Sequence, residues 1–549
     1  MQTNKLLISH YFYTIIHLKP KQIYRRIWFH LTKPRSIDES TVPNLRILKN
    51  KFFLPFQKKI SLLSEDTFYF LNKSASLLKI GWNGNDNAIS KLWRYNQHYF
   101  DDLNAIGSLK RKNWHESLLK RWVNENKVGI GFGWDPYPTS LRIVNWIKWY
   151  FLGNILSKKC IQSLAIQARW LYKRIEWHIL GNHLFSNAKA LVFAGLFFSS
   201  KESENWLKKG LEIIEDEIDE QILDDGGHFE RSPMYHAIFL EDILDLINIS
   251  RVYKGDIKKL KVNKWIKTTN KMFEWLETVV HPDGENSFFN DTAIGNSPNL
   301  NELKRYAQRL NINYNFTKHK KIKCLQNSGY IRVTSKESVA IIDVAPIGPD
   351  YLPGHSHADT LSFELSLFGQ RLLVNTGISE YKTSPVRHYE RSTEAHNTVV
   401  VNNLNSSEVW NGFRVARRAY PFDLKIEELK NCLNISCAHD GYKRLFGKPI
   451  HRRSWKFLKY SLIINDNIEG PFKSAFAYFH FHPSVVIIKK KNILKIRMSN
   501  NRKVIFKIKT GASVIRKSYY SPEFGKTYVT KCLKIALNNN NGSCVQISW

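Results

Sequence analysis

The segment GNHLFSNAKAL places two polar residues, Asn182 and His183, directly before an apolar helical pattern. Asn182 could cap that helix, because its side chain accepts hydrogen bonds from free backbone N–H groups. Alternatively, both residues could stand in a cleft at the mouth of the helix. There they would donate hydrogen bonds to the carboxylate of a substrate.

A second segment, DDGGHFERSPMYHAIFL, leads through glycines into Glu230, Arg231, Tyr235 and His236. Tyr235 and His236 could be a buried pair at the start of an amphipathic helix. However, Tyr, His and Arg within six residues supply a proton carrier and an anion binder together. We therefore favour a functional role for this segment.

The third segment is PGHSHADTLSFEL, in which His355 and His357 alternate ahead of a predicted strand. On an extended backbone these two imidazoles would face the same way, with Asp359 next on that face. Same-face histidines can share a metal ion, or one can act as a base while the other binds metal. An isolated HxH motif is also common among structural histidines.

The fourth segment, RHYERSTEAHNTVVV, concentrates charged and amide side chains on one loop: Arg387, His388, Arg391, Glu394, His396 and Asn397. They could be solvated loop charges, but such a set suits a site for a negatively charged sugar. Two aromatic residues in GWDPYPTSLRIVNW, Trp134 and Tyr137, are predicted to stack on pyranose rings where they are not part of the core.

Several large enzyme classes are excluded by missing motifs. The sequence has no Walker A loop, dinucleotide-binding glycine fingerprint, GxSxG or HExxH. No organic cofactor is therefore expected.

The chain has 549 residues, which is more than one hydrophobic core usually organises. Its net charge of +34 attracts anions. Nucleic acid, anionic lipid and acidic glycan all qualify, as does compositional drift without a partner. The six cysteines are dispersed without CxxC pairs, so a disulfide framework is not expected.

The hydrophobic period changes once along the chain. Apolar residues recur at helical spacing over 85–320, which favours a helical bundle or a toroid of helical hairpins. From 325 to 549 the period is two, which predicts short strands in a β-sandwich or stacked antiparallel sheets. Residues 1–84 are interpreted as a basic, irregular lead-in. We see no signal peptide and no membrane-spanning run, although the basic, aromatic start could contact a membrane surface.

Taken together, the motifs resemble those of heparinase II/III-like proteins. The strings GNHLFSNAKALVFAG, DGGHFERSPMYH, HPDGENSFFNDTAIG, GHSHADTLSFEL and RSTEAHNTVVVNNLNSSEVWNGFRVARRA occur in the family's order, over roughly residues 90 to 490. The resemblance extends to the subgroup found with bacterial surface-polysaccharide genes. It implies an N-terminal (α/α) toroid of the alginate lyase type, a C-terminal antiparallel β-sandwich, and a cleft for a glycan that contains uronic acid.

The resemblance also implies roles for individual residues. Asn182 and His183 match the positions that neutralise the uronate carboxylate, Tyr235 matches the catalytic tyrosine, and His355 matches the catalytic histidine. His357 and His396 match ligands of a structural metal, typically zinc. The family's metal-binding aspartate is replaced here by Asn375, and a neutral amide is a poorer zinc ligand.

The expected function is therefore that of a polysaccharide lyase, which cleaves an acidic glycan by β-elimination. The alternative is a weak or inactive glycan-binding factor in capsule or O-antigen biosynthesis. No specific nucleic-acid partner is expected. The resemblance places the protein in the cell envelope or periplasm, and the absence of a clear signal peptide makes the cytoplasm the alternative.

Overall fold

A computed structural model describes residues 2–34, 37–84, 88–314, 320–538 and 542–549. The predicted start of the helical region, residue 85, lies outside these ranges. The described helices are α1 (Gln2–Ile15), α2 (Pro20–Leu31), α3 (Leu77–Ile80), α4 (Lys91–Tyr99), α5 (Lys112–Glu125), α6 (Pro136–Phe151), α7 (Lys158–Lys173), α8 (Gly181–Phe197), α9 (Lys201–Gln221), α10 (Pro233–Val252), α11 (Lys259–Val279), α12 (Leu300–Arg309) and α13 (Pro385–Glu390).

Most of the strands follow the last long helix, in the part of the chain with two-residue periodicity. They are β1 (Asn44–Leu45), β2 (Thr67–Phe70), β3 (Lys73–Ser76), β4 (Phe198–Ser199), β5 (Ile322–Leu325), β6 (Tyr330–Thr334), β7 (Ser338–Asp343), β8 (Phe363–Leu367), β9 (Gln370–Leu373), β10 (Val399–Val401), β11 (Val409–Trp410), β12 (Arg414–Val415), β13 (Pro421–Leu429), β14 (Cys432–His439), β15 (Ile450–Leu458), β16 (Ser461–Glu469), β17 (Ala475–His480), β18 (Val486–Lys490), β19 (Ile493–Arg497), β20 (Lys503–Thr510), β21 (Ser513–Glu523), β22 (Lys526–Ala536) and β23 (Ser543–Ser548).

Helix α8 is the centre of the helical part. It is buried almost all round and packs against α6, α7, α9 and α10. A helix that is apolar on every side is stable only when other helices surround it. At its N-terminus, however, Asn182 and His183 remain partly exposed. The polar N-terminus of α8 therefore faces the strand part.

The strand part is built from antiparallel sheets. The main sheets have the strand orders β5-β6-β7-β8-β9, β10-β17-β22-β21 and β13-β14-β15-β16-β23-β20-β19-β18. Buried side chains from all three sheets, among them Phe363, Trp455, Phe479 and Leu533, form one core. Along β15, buried and less buried residues alternate, as expected for a strand with one face on that core.

Residues 2–31 are mostly helical, and this corrects the sequence-based description of an irregular lead-in for that part of the segment before residue 85. They include helices α1 and α2, which bridge the two parts of the molecule. Thr14 on α1 lies 3.1 Å from Trp410 Nε1, in the strand part. On α2, the carbonyl of Phe29 accepts a hydrogen bond from Arg174, in the helical part. Pro20 starts α2, because its fixed φ suits the first helical turn.

No helix among the described residues is long and apolar enough to cross a bilayer. The six cysteines are free thiols.

Candidate active site

A cavity of about 2130 Å³ lies between the helical part and the strand part. Its walls include the N-terminal turns of α8 and α10, the loop between β7 and β8, and one face of α1 and α2. Of the residues predicted to form the site, six line this cavity: Tyr137, Asn182, His183, Glu230, Tyr235 and His355.

Tyr235 stands in the first turn of α10. Pro233 begins the helix, and the hydroxyl of Ser232 caps it by accepting a hydrogen bond from the backbone N–H of Tyr235 at 3.2 Å. The phenol oxygen of Tyr235 lies 3.1 Å from that of Tyr381. Burial, and then the neighbouring Tyr381, raise the pKa of Tyr235 well above its usual value. The phenol is therefore a proton donor and not a resident phenolate.

His355 reaches the same cavity from the strand part. Its ring lies against that of Tyr235, with the centroids 3.9 Å apart. Its Nδ1 lies 2.9 Å from a carboxylate oxygen of Asp291. An ionised carboxylate only accepts hydrogen bonds, so Nδ1 carries the proton and the lone pair of Nε2 is free. This arrangement leaves Nε2 able to accept a proton from a molecule in the cavity.

Asp291 organises this side of the site, although it lies in none of the four segments from which site residues were predicted. It is fully buried and binds His355 through one oxygen and His357, at 2.9 Å, through the other. Arg387 completes the cluster, with Nη2 donating to Asp291 at 2.7 Å. Burial alone would raise the pKa of Asp291, but the Arg387 charge and these hydrogen bonds hold it well below its usual range. Asp291 is therefore a permanent anion behind His355.

Asn182 and His183 face Tyr235 and His355 from α8. Asn182 lies inside the helix, whose N-cap is Leu180, so its side chain does not cap it. His183 donates from Nδ1 to Glu176 at 3.1 Å, and its ring stacks on Tyr137 with centroids 4.4 Å apart. Two polar side chains thus point into the cavity where the helix dipole is positive.

Glu230 is a buried carboxylate with neither oxygen hydrogen-bonded to any described residue. Burial raises its pKa, while the nearby His355 lowers it. One Glu230 oxygen lies 3.8 Å from His355 Nε2, on the side of the imidazole that faces the cavity. A ligand hydroxyl between them could satisfy both groups.

Three predicted substrate contacts belong instead to the protein interior, which corrects the sequence interpretation. Trp134 packs in the core against Trp122. The buried ring of His236 bonds to the Met272 carbonyl at 2.9 Å. Arg231 donates to backbone carbonyls, including that of Ser328 at 3.2 Å. Arg231 and His236 therefore do not supply the cationic surroundings that a phenolate at Tyr235 would need.

Three residues of the fourth segment are buried next to the site and do not line its cavity. Arg387 is bound to Asp291, as described above. The guanidinium of Arg391 donates to the carbonyl of Ser356 at 3.0 and 2.9 Å. Asn397 donates to the Phe363 carbonyl at 2.9 Å. All three are buried and none lines the cavity, so the structure does not support the predicted direct contacts with a sugar.

The predicted zinc ligands lie behind His355. Nδ1 of His357 and Nε2 of His396 are 3.1 Å apart, which suits one ion at Zn–N distances of about 2.0–2.1 Å. The amide of Asn375 donates to the Phe288 carbonyl and accepts from the Asn397 N–H. Among the described residues, no three His, Cys, Asp or Glu are grouped to hold a metal. Zinc binding stays a prediction, with only two imidazoles to support it.

Two further residues at the site were not predicted from the sequence. Tyr381 brings its hydroxyl to Tyr235, and the ring centroid of Phe413 lies 6.0 Å from that of His355. Neither stands in a motif with chemical meaning by itself. Asp291 carried a weak signal, because it lies in the quoted string FFNDTAIG.

Two family profiles match the chain over adjoining ranges. The profile described as "Heparinase II/III N-terminus" matches residues 145–323, and "Heparinase II/III-like, C-terminal" matches residues 317–549. The chain belongs to the heparinase II/III-like family.

Individual relatives agree with this assignment. A heparin-sulfate lyase of Bacteroides stercoris is 29% identical over 303 residues, which are 50% of this chain and 44% of that protein. One from Bacteroides thetaiotaomicron is 24% identical over 72% of this chain and 60% of its own length. This chain thus spans about half the length of the heparin-sulfate lyases that it matches.

The fold is shared with solved structures. The crystal structure of heparinase III superposes with a TM-score of 0.69 at 19% identity, over 85% of this chain and 78% of that one. Heparan sulfate lyase HepC from Pedobacter heparinus gives a TM-score of 0.57 at 18% identity, over 84% and 77% of the two chains.

Proposed function

We propose that this protein is a polysaccharide lyase that cleaves a uronic-acid-containing acidic glycan by β-elimination. The observation that carries the proposal is the contact of Tyr235 with His355 inside one cavity. In the same proposal the helices close as an (α/α) toroid and the strands form a β-sandwich. The continuous helical core and the single core shared by three sheets support this description.

The first requirement of the reaction is to acidify the proton on C5 of the uronate. Its removal places negative charge on the adjacent carboxylate, so groups that stabilise that charge lower the barrier. Asn182 and His183 project from the positive end of α8 into the cavity. Asn182 is suited to donate to a carboxylate oxygen as the charge develops, and His183 does so through Nε2 when its ring carries both protons, because Nδ1 already donates to Glu176.

The second requirement is a base and an acid near one sugar ring. His355 Nε2 takes the C5 proton, and the electrons of the C5–H bond form the C4–C5 double bond. The bond between C4 and the glycosidic oxygen breaks, and the Tyr235 phenol donates its proton to that oxygen. The raised pKa of Tyr235 supports the acid role, and the hydrogen bond to Asp291 supports the base role of His355.

The cavity is suited to an anionic polymer. It is lined by more lysine and arginine than acidic side chains, including Arg26, Lys73, Lys91, Lys382 and Arg414. The net charge of +34 would steer a polyanion toward it. Two similar proteins are named heparin-sulfate lyases, so sulfated uronate polymers are the first substrates to try.

The alternative is a glycan-binding factor without turnover, which Asn375 and the resemblance to proteins found with surface-polysaccharide genes both suggest. In the structure Asn375 is buried behind the cavity, and its amide bonds within the protein. The substitution therefore leaves the acid, the base and the carboxylate-binding pair intact. Localisation in the cell envelope stays a prediction.

The test is to incubate the purified chain with heparin, heparan sulfate, chondroitin sulfate, hyaluronan, alginate and polygalacturonate. We expect at least one polymer to yield the ultraviolet absorbance of a C4–C5 unsaturated uronate. New reducing ends without that absorbance would identify a hydrolase and overturn the proposal. Glycan binding without any cleavage would favour the glycan-binding alternative.

A further inference from the structure

Helices α1 and α2 carry an unusual exposed apolar surface. On α1 the outward residues include Ile8 and Phe12, with Ile16 directly after the helix, and on α2 they include Trp28 and Leu31. Their exposed fractions reach 68% for Ile8, 60% for Trp28 and 77% for Leu31. Spacings of three and four residues put each set on one side of its helix. We call this surface the N-terminal apolar face.

The opposite sides of both helices are already bound to the protein. Thr14 contacts Trp410, Gln22 donates to the Tyr351 carbonyl at 3.1 Å, and Phe29 packs on His178 with centroids 4.2 Å apart. The helices are therefore held in place, and their outward sides do not contact the cavity walls. An exposed apolar surface of this kind marks an interaction site.

The charge around this face identifies the partner. Residues 1–37 contain seven lysine and arginine residues and no aspartate or glutamate. Two copies of the face would bring like charges together, which disfavours self-association. An anionic lipid surface matches both properties, because short helices with apolar and cationic sides bind at the boundary of headgroups and acyl chains.

We propose that α1 and α2 dock the protein on an anionic membrane surface, with the N-terminal apolar face inserted among the headgroups. Lys33 is exposed just after α2, outside the cavity lining, and would contact lipid phosphates. Because Tyr11, Ile15 and Ile23 of the same helices also line the cavity, docking would hold the mouth of the cavity near the membrane. This inference does not depend on the proposed chemistry.

The experiment is co-sedimentation of the full chain with vesicles of phosphatidylcholine alone, or of equal parts phosphatidylcholine and phosphatidylglycerol. We compare the wild type with the double variant Phe12→Gln and Trp28→Gln, which leaves the charge unchanged. The matched control is Leu109→Gln with Ile488→Gln. These residues are similarly exposed, at 74% and 57%, but belong to other elements. Thermal melts verify that every variant is folded.

We expect the wild type and the control to bind the phosphatidylglycerol vesicles, and the double variant to bind at least about tenfold more weakly. Three outcomes would overturn the proposal. The first is that the wild type binds neither vesicle type. The double variant could bind as well as the wild type, which would show attraction of a basic protein to negative charge alone. Finally, sedimentation velocity could reveal a wild-type dimer that the double variant abolishes, which would make the face a contact between copies.

Discussion

The imidazole ring of His355 lies 3.9 Å from the phenol ring of Tyr235, centroid to centroid. One residue comes from the first turn of α10 and the other from the loop between β7 and β8. Their contact exists only when the helical and strand parts are packed together. Turnover should therefore require both parts of the chain in one molecule.

Replacing Tyr235 with Phe removes the proposed acid and keeps the ring that packs on His355. We expect kcat to fall by about 10²–10⁴-fold, the usual contribution of a positioned acid or base, with little change in KM. Initial rates of unsaturated product measure this effect. A variant that kept its rate within about tenfold of wild type would contradict the acid role.

Replacing Asp291 with Asn should disturb the proton on His355 Nδ1 and leave Arg387 buried beside a neutral amide. We expect kcat to fall by about 10²–10⁴-fold and the free energy of unfolding to fall by about 3–5 kcal/mol. Steady-state rates and denaturant unfolding measure the two effects.

The strand part offers a matched control for Asp291. Asp466 is another buried carboxylate, bound to His451 at 2.8 Å and to Arg453, but it does not line the cavity. Asp466→Asn should cost similar stability and leave kcat unchanged at a temperature where it is folded. Equal kcat losses in both variants would show that Asp291 acts through stability alone.

Asn182→Ala tests the stabilisation of the developing enolate. Because this contact should strengthen in the transition state, we expect kcat to fall by about 10²–10³-fold with a smaller change in KM. Full kinetic curves on the best substrate separate the two parameters. A rise in KM at constant kcat would show that Asn182 only binds the ground state.

Trp134→Ala tests the correction of a predicted sugar platform to a core residue. We expect the free energy of unfolding to fall by about 3–5 kcal/mol, because the large buried side chain leaves a cavity. At a temperature where the variant is folded, KM should stay near that of wild type. A raised KM without loss of stability would restore the original interpretation.

Asn375→Asp tests how the two-histidine site handles zinc. An aspartate at position 375 restores the carboxylate that the family resemblance implies as a ligand together with His357 and His396. The variant should therefore retain more zinc than wild type during dialysis against a chelator. Elemental analysis of both proteins measures the retention. If both proteins retain one equivalent of zinc, the amide of Asn375 does not weaken zinc binding.

Much of the fold follows from local periodicity. The two-residue alternation in KYSLIINDNIEG and RKVIFKIKTG predicts strands that the structure has at β16 and β20. Helices α1 and α2 were not predicted, because histidines and tyrosines interrupt their apolar pattern. Tertiary contact with Trp410 and Arg174 supplies the stabilisation that local sequence does not reveal.

The site was harder to predict because its key pairings are distant in sequence. Tyr235 and His236 are neighbours, yet successive residues on a helix point in different directions, so one faces the cavity and the other the core. Asp291 meets His355 from a separate loop, and no spacing rule relates them. The motifs indicated which segments of the sequence are rich in polar side chains. The structure shows which of those side chains line the cavity and which are buried outside it.

The central claim is elimination of a uronate between His355 and Tyr235. Its most direct test is mass spectrometry of glycan products formed in water enriched in heavy oxygen. Elimination predicts fragments that have a C4–C5 double bond and have taken up no heavy oxygen from bond cleavage. The variants His355→Ala and Tyr235→Phe should not form these fragments. Saturated fragments that carry one heavy oxygen at the new reducing end, and none at the new non-reducing end, would contradict it.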